Sequence, residues 1–185
     1  MKKITAKEIF TIPNILGYIR ILMIPVVCVL YVRAETSQDY FKAAALLLLA
    51  SSTDLFDGMI ARKFNMVTEL GKILDPIADK LTHAAVAFCV ATRFPLMWAL
   101  IALMVVKEGY MAIMGLRSIA KDQMMDGAQW YGKICTATLF VGLLALFLLP
   151  NMTLWIANTM IVIMMAVMAF TFVMYIRMYS GKIKA

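Results

Sequence analysis

From Leu154 to Ile176 no residue carries a charge, and from Ile12 to Val32 the only charged side chain is Arg20. A helix crosses the hydrocarbon core of a bilayer with about 20 mainly apolar residues, and several blocks of this chain reach that length. They are continuous rather than striped, so they do not read as the amphipathic helices of a soluble domain. With 63% of residues hydrophobic and 16% charged, the chain has too little polar surface to cover a water-soluble core. The expectation is an all-α, polytopic membrane protein.

Hydropathy predicts six membrane helices in one bundle, a single domain over residues 1–185 with the spans inside 12–179. Their expected limits are Ile12 to Val32, Tyr40 to Arg62, Thr68 to Arg93, Met97 to Arg117, Ala128 to Leu149 and Leu154 to Tyr179. Ahead of them, residues 1–10 form a juxtamembrane segment. There Thr5-Ala6-Lys7-Glu8 fits a capping box for a short helix on the membrane surface. No apolar stretch followed by a small-residue cleavage site marks a removable leader.

The net charge of +7 forms no dense patch, which argues against nucleic acid as a partner. Lys2, Lys3, Lys7, Arg62, Lys63, Arg117, Lys121, Arg177, Lys182 and Lys184 cluster beside alternate ends of the spans. The opposite loops are poorer, with Arg33 and Lys42 offset by Glu35 and Asp39. An excess of Lys and Arg marks the cytoplasmic side and attracts anionic lipid, so both termini are expected in the cytoplasm. Cys28, Cys89 and Cys135 lie in apolar surroundings without metal-ligand spacing and read as buried free thiols.

Against this apolar background, Asp54, Asp57, Asp75 and Asp79 need a reason. An ionised Asp at the centre of a bilayer costs at least ~2.5–3.5 kcal/mol on insertion scales, and like charges crowded together repel. Asp54 and Asp57 are three residues apart, Asp75 and Asp79 four, so each pair shares a helix face. The short connection around Phe64 to Val67 makes the two helices antiparallel neighbours, with both pairs near the cytoplasmic interface. Hard oxygen ligands from two helices suit a divalent cation such as Mg²⁺ or Mn²⁺. Two such ions about 3.5–4 Å apart are a recurrent device of phosphoryl chemistry. Gly58, Ala61 and Gly71 beside the carboxylates leave room for a nucleotide, and Arg62 can reach a diphosphate with two donors.

The run Asp54-Leu55-Phe56-Asp57-Gly58-Met59-Ile60-Ala61-Arg62, continued by Gly71, Asp75 and Asp79, resembles the CDP-alcohol phosphotransferase signature at each fixed position. The resemblance implies a six-helix membrane bundle, usually a homodimer. Asp54, Asp57 and Asp75 would bind metal, with Asp79 joining them and acting as base. Gly58, Ala61, Arg62 and Gly71 would contact the CDP moiety of CDP-diacylglycerol.

Other segments resemble the branch that uses glycerol 3-phosphate: Ile12-Pro13-Asn14-Ile15-Leu16 with Arg20, Leu74-Asp75-Pro76-Ile77-Ala78-Asp79-Lys80, and Gly132-Lys133-Ile134-Cys135-Thr136. Two departures soften the cationic character of that pattern. Cys135 stands where a second Lys is usual, and Lys107-Glu108 replaces Arg-Glu. The acceptor therefore stays open between glycerol 3-phosphate and the phosphatidylglycerol used by CDP-dependent cardiolipin synthases. Arg20, Lys80, Lys107, Arg117 and Lys133 are the candidates for an acceptor phosphate. Arg117 also reads as a positive-inside anchor, Lys107 as a local partner of Glu108, and His83 as a packed histidine. A cation transporter is the rival from another class. Its acidic residues would line a path across the membrane, whereas these four gather at one depth and the last two spans hold no Asp or Glu.

Overall fold

The computed structural model describes residues 10–64, 66, 68–120 and 129–183, and for 54–58, 60–62, 69, 72, 73, 119, 120 and 181–183 the description stops at the backbone. Among these residues the chain is all-helical, with α1 (Ile12–Val32), α2 (Ser37–Lys63), α3 (Glu69–Ala91), α4 (Met97–Ala120), α5 (Trp130–Leu148) and α6 (Leu154–Ile183). The expected surface helix at Thr5–Glu8 lies outside the described residues.

Among the described residues, four helices are long and apolar enough to cross a membrane: α1, α4 over Met97–Ser118, α5, and α6 over Leu154–Ser180. The expectation was six. With 27 and 23 residues, α2 and α3 are about 40 and 35 Å long, ample for a hydrocarbon core of about 30 Å. On α3, Glu69, Lys72, Asp75, Asp79 and Lys80 dilute the apolar run. On α2 the uncharged residues 43–53 lead into 54–58 and 60–62, whose side chains lie outside the description. The apolar side chains left outside the bundle are large: Leu22 is 71% exposed and Trp155 75%. Such surface fits lipid rather than water.

The chain forms two compact units, Met1–Cys89 and Val90–Ala185. In the first, α1 starts with Pro13 in its opening turn, where a missing amide leaves no helical bond unmade. It then turns through residues 33–36 into α2. Tyr31 and Tyr40 stack edge-to-face at this corner, 5.2 Å between centroids. Ala43, Ala44 and Ala50 are buried with Leu47 along one face of α2, and the alanines let α1 approach closely.

The start of α2, three residues before the expected Tyr40, has a visible cause. The Thr36 hydroxyl accepts the Asp39 amide (3.3 Å), while Asp39 Oδ2 accepts the Thr36 amide (3.2 Å) and hydroxyl (2.6 Å). This reciprocal capping box satisfies amides that the first turn leaves unpaired.

The first unit is completed by α3, which runs parallel to α1. Asn14 meets Thr68, Gly17 meets Leu74, and Arg20 meets Asp79, each step forward on one helix matching a step forward on the other. Farther along, Ile24, Val27 and Cys28 of α1 line a small apolar cavity with Leu47 and Ala50 of α2 and Thr82, Ala85, Val86 and Cys89 of α3. Pro76 sits inside α3 without ending it.

In the second unit α5 and α6 are antiparallel: Gly132 packs on Tyr175 and Gly142 on Met164. The buried Leu139, Leu143, Leu146 and Phe147 of α5 belong to one core with Ile161, Met164 and Met168 of α6. Tyr110 of α4 meets Phe172 and Tyr179 of α6 edge-to-face at 5.4 and 6.1 Å. The last turns of α4 and α6 run past the expected Arg117 and Tyr179, to Ala120 and Ile183.

Candidate active site

The carboxylates occupy the end of α2 and the first half of α3. Asp54 and Asp57 fall within unbroken helix, three residues apart on one backbone face, and so do Gly58, Ala61 and Arg62. The side chains of these five residues lie outside the description. On α3, Asp75 and Asp79 stand one turn apart; both are half-buried, and the Asp79 side chain is 49% exposed. Among the described residues no three His, Cys, Asp or Glu side chains gather tightly enough to hold a metal. The four residues expected to hold a metal are all aspartates on two consecutive helices. Their chemistry fits a hard divalent cation and gives a soft metal nothing to bind.

The N-terminus of α3 is fixed from α1. Thr68, just before the helix, accepts the Gly71 amide through its hydroxyl at 2.9 Å, the bond expected of an N-cap residue. The same hydroxyl faces the Asn14 amide group, accepting from Nδ2 at 3.1 Å and donating to Oδ1 at 3.2 Å. Asn14 is buried, so this pairing also meets the polar demand of an amide inside an apolar helix. Gly71, expected beside the nucleotide, lies against this cap. A Cβ there would come within 2.9 Å of Asn14 Oδ1 and 3.1 Å of Thr68 Oγ1.

Arg20 is the main surprise. Expected near an acceptor, it is buried with its Nη1 3.4 Å from Asp79 Oδ1. The parallel course of α1 and α3 explains the meeting. Arg20 stands eight residues into its helix and Asp79 ten, about 12 and 15 Å at 1.5 Å per residue, so the two are nearly level. The signal in the sequence was the pair of lone polar residues Asn14 and Arg20 in an otherwise apolar helix, each of which requires a partner.

The other expected acceptor residues have distinct surroundings. Lys80 is exposed on α3, and His83, one turn beyond Asp79, is half-buried. Lys107 donates to Glu108 Oε1 at 2.6 Å and keeps only 12% of its side chain exposed, so it pairs locally. Arg117 and Lys133 are exposed and make no ion pair with any described residue. The Thr36–Asp39 box and the Thr68 cap were both missed. Each is a Thr three residues before the residue whose amide it accepts, at the foot of an apolar block.

Comparison with known proteins shows the family to which the chain is similar. Residues 10–178 match the family model for CDP-alcohol phosphatidyltransferase. The CDP-diacylglycerol–glycerol-3-phosphate 3-phosphatidyltransferase of Escherichia coli (strain K12) is 34% identical over 152 residues, 77% of this chain and 79% of that protein. A Shigella boydii protein of the same name matches to the same extent. A cardiolipin synthase (CMP-forming)/mitochondrial hydrolase fusion protein of Schizosaccharomyces pombe is 44% identical over 88 residues, 47% of this chain but only 14% of the fusion. With a family match running through both compact units and a relative aligned over most of its length, the chain belongs to the CDP-alcohol phosphatidyltransferase family.

Proposed function

We propose that this enzyme moves the phosphatidyl group of CDP-diacylglycerol onto the hydroxyl of glycerol 3-phosphate, forming phosphatidylglycerophosphate and releasing CMP. The observation that carries this reading is the 34% identity, over 77% of the chain, to the Escherichia coli enzyme named for that reaction. The Asn14, Arg20 and Lys133 segments point to the same branch. One domain of six spanning helices, α2 and α3 included, suits the substrates. Both helices are long enough to cross, and their carboxylates belong near the cytoplasmic face, where a nucleotide and a soluble acceptor arrive. The distribution of Lys and Arg supports cytoplasmic termini, and a homodimer accords with the family resemblance.

Asp54, Asp57, Asp75 and Asp79 would hold a divalent metal, two Mg²⁺ or Mn²⁺ ions on this reading. When bound, it supplies positive charge beside the diphosphate. Arg62 binds the same diphosphate with its paired donors, while Gly58, Ala61 and Gly71 keep the nucleotide side free of bulk. Asp79 takes the proton of the acceptor hydroxyl as that oxygen bonds to the lipid-linked phosphorus. The bond from this phosphorus to CMP breaks, and CMP leaves with the electron pair.

The second reading, phosphatidylglycerol as acceptor with cardiolipin as product, is favoured by the higher identity, 44%, to the Schizosaccharomyces pombe fusion protein. An acceptor panel decides. Purified enzyme with CDP-diacylglycerol and Mg²⁺ or Mn²⁺ should release CMP with glycerol 3-phosphate and make no cardiolipin from phosphatidylglycerol. The reverse product pattern would overturn the first reading.

A further inference from the structure

Arg20 offers more than a charge for an incoming phosphate. Its side chain is 2% exposed, held in the α1–α3 seam between the Gly17–Leu74 contact and the apolar cavity around Cys28 and Cys89. A guanidinium in such a place is costly to bury unless a carboxylate meets it, and the described carboxylate it meets is Asp79, at 3.4 Å. That separation exceeds the ~2.7–2.9 Å of a strong charge-assisted hydrogen bond. At 3.4 Å the attraction still favours Asp79 side-chain states that turn one oxygen toward Arg20.

An aspartate on a helix surface has several staggered side-chain states to choose from. A buried cation fixed by packing selects the states that bring one oxygen toward it. We propose that Arg20 is a positioning residue, which sets the Asp79 carboxylate for proton transfer and does not bind the acceptor. This rests on the reading of Asp79 as the base. It reassigns one of the five cations that sequence alone would give to the acceptor.

The two roles differ in what they do to kinetics. Loss of an acceptor ligand raises the acceptor KM and is overcome by more acceptor, whereas loss of orientation lowers kcat at saturation. The experiment reads CMP release by wild type, Arg20→Gln, Arg20→Lys, Asp79→Asn and the double variant, with glycerol 3-phosphate and phosphatidylglycerol run in parallel. Positioning predicts that Arg20→Gln lowers kcat about 100-fold, the scale of a base displaced by ~1 Å. Both KM values should stay within about twofold. Arg20→Lys, with the charge but one donor group, should regain part of the loss. Adding Arg20→Gln to Asp79→Asn should cost nothing further, because the two act as a unit.

A raised acceptor KM at unchanged kcat would overturn the proposal, as would losses that multiply in the double variant. Thermal unfolding in detergent monitors folding, and if Arg20→Gln does not fold, the kcat–KM split of Arg20→Lys decides alone. The underlying reading fails separately. Near-normal kcat in Asp79→Asn would remove the base, and turnover with phosphatidylglycerol alone would change the acceptor while Arg20 is still measured on it.

Discussion

Gly71 sits so close to Asn14 that a single added methyl group on it would stand 2.9 Å from the Asn14 side-chain oxygen. Two demands meet here. The glycine belongs to the signature read as a nucleotide site, and it also admits the Asn14–Thr68 bridge that ties α1 to the cap of α3. Gly71→Ala should therefore destabilise the protein by about 1–3 kcal/mol, the range for overpacking, even without CDP-diacylglycerol. Removing the opposing oxygen with Asn14→Ala should reduce that penalty. Thermal unfolding in detergent of the two single variants and the double variant checks this. Strictly additive losses would mean that the glycine and the asparagine do not compete for space.

Metal dependence should be absolute. Four carboxylates on neighbouring helices, with Arg20 meeting one of them, need further positive charge to coexist near a bilayer. CMP release should stop in excess EDTA and return with Mg²⁺ or Mn²⁺. Asp54→Asn, Asp57→Asn and Asp75→Asn should each weaken metal activation as well as turnover, measured as the metal concentration for half-maximal rate. Undiminished turnover in chelator after metal stripping would refute the assignment.

The capping box at the start of α2 adds an acid sensitivity. Hydrogen bonds from Thr36, then Lys42, hold the Asp39 carboxyl at about 2, below its usual 3.8. Because the folded value is the lower one, the stabilisation is complete above about pH 4 and is lost as pH falls toward 2. The Asp39 side chain is 38% exposed and its partner Lys42 69%, so the effect is small and salt-dependent. Thr36→Ala should bring the carboxyl back toward 3.8 and remove this acid dependence of unfolding. A pH–stability profile of the variant that still matches wild type would count against the box.

Most of the helical pattern was legible in the apolar blocks, and the expected first span, Ile12 to Val32, coincides with α1. Such blocks carry their own length and need no knowledge of neighbours. The carboxylate pairs were legible for the same reason, since i, i+3 and i, i+4 spacing is a property of one helix. What stayed hidden depends on two helices at once. Nothing in the residues around Arg20 names Asp79 as its partner, because the meeting follows from α1 and α3 running parallel and level. Gly71 could be read as making room, but not for whom. The six-span expectation met a different limit: α3 carries Asp75, Asp79 and Lys80 amid its apolar run, and the site half of α2 lies outside the side-chain description.

A second close glycine gives a test in the other compact unit. A Cβ on Gly132 would overlap the Tyr175 hydroxyl, while the next ring atom lies at an ordinary 3.4 Å. Tyr175 also packs edge-to-face on Tyr131 at 4.8 Å, so it cannot swing away without losing that contact. Gly132→Ala should cost about 1–3 kcal/mol, and Tyr175→Phe, which removes only the oxygen, should recover most of it. Thermal unfolding reads both, and no rescue by Tyr175→Phe would show that the strain lies elsewhere.

The acceptor is best tested through the cations that remain uncommitted. Arg20 has Asp79 and Lys107 has Glu108, whereas Lys133 and Arg117 are exposed with no ion pair to any described residue. A phosphomonoester brought beside a cluster of aspartates must have its charge met, or its desolvation opposes binding. A hydrogen bond to a charged group contributes roughly 1.5–3 kcal/mol, and each 1.4 kcal/mol is about tenfold in affinity. Lys133→Ala should thus raise the KM for glycerol 3-phosphate about 10- to 100-fold and leave that for CDP-diacylglycerol nearly unchanged, with Arg117→Ala smaller in the same direction. Lys107→Ala should act mainly on stability, since it leaves Glu108 without its 2.6 Å partner. If Lys133→Ala leaves the glycerol 3-phosphate KM untouched, the acceptor phosphate is held by other groups. If it leaves catalysis intact on phosphatidylglycerol alone, the acceptor is the lipid and the charge of Lys133 serves only the membrane surface.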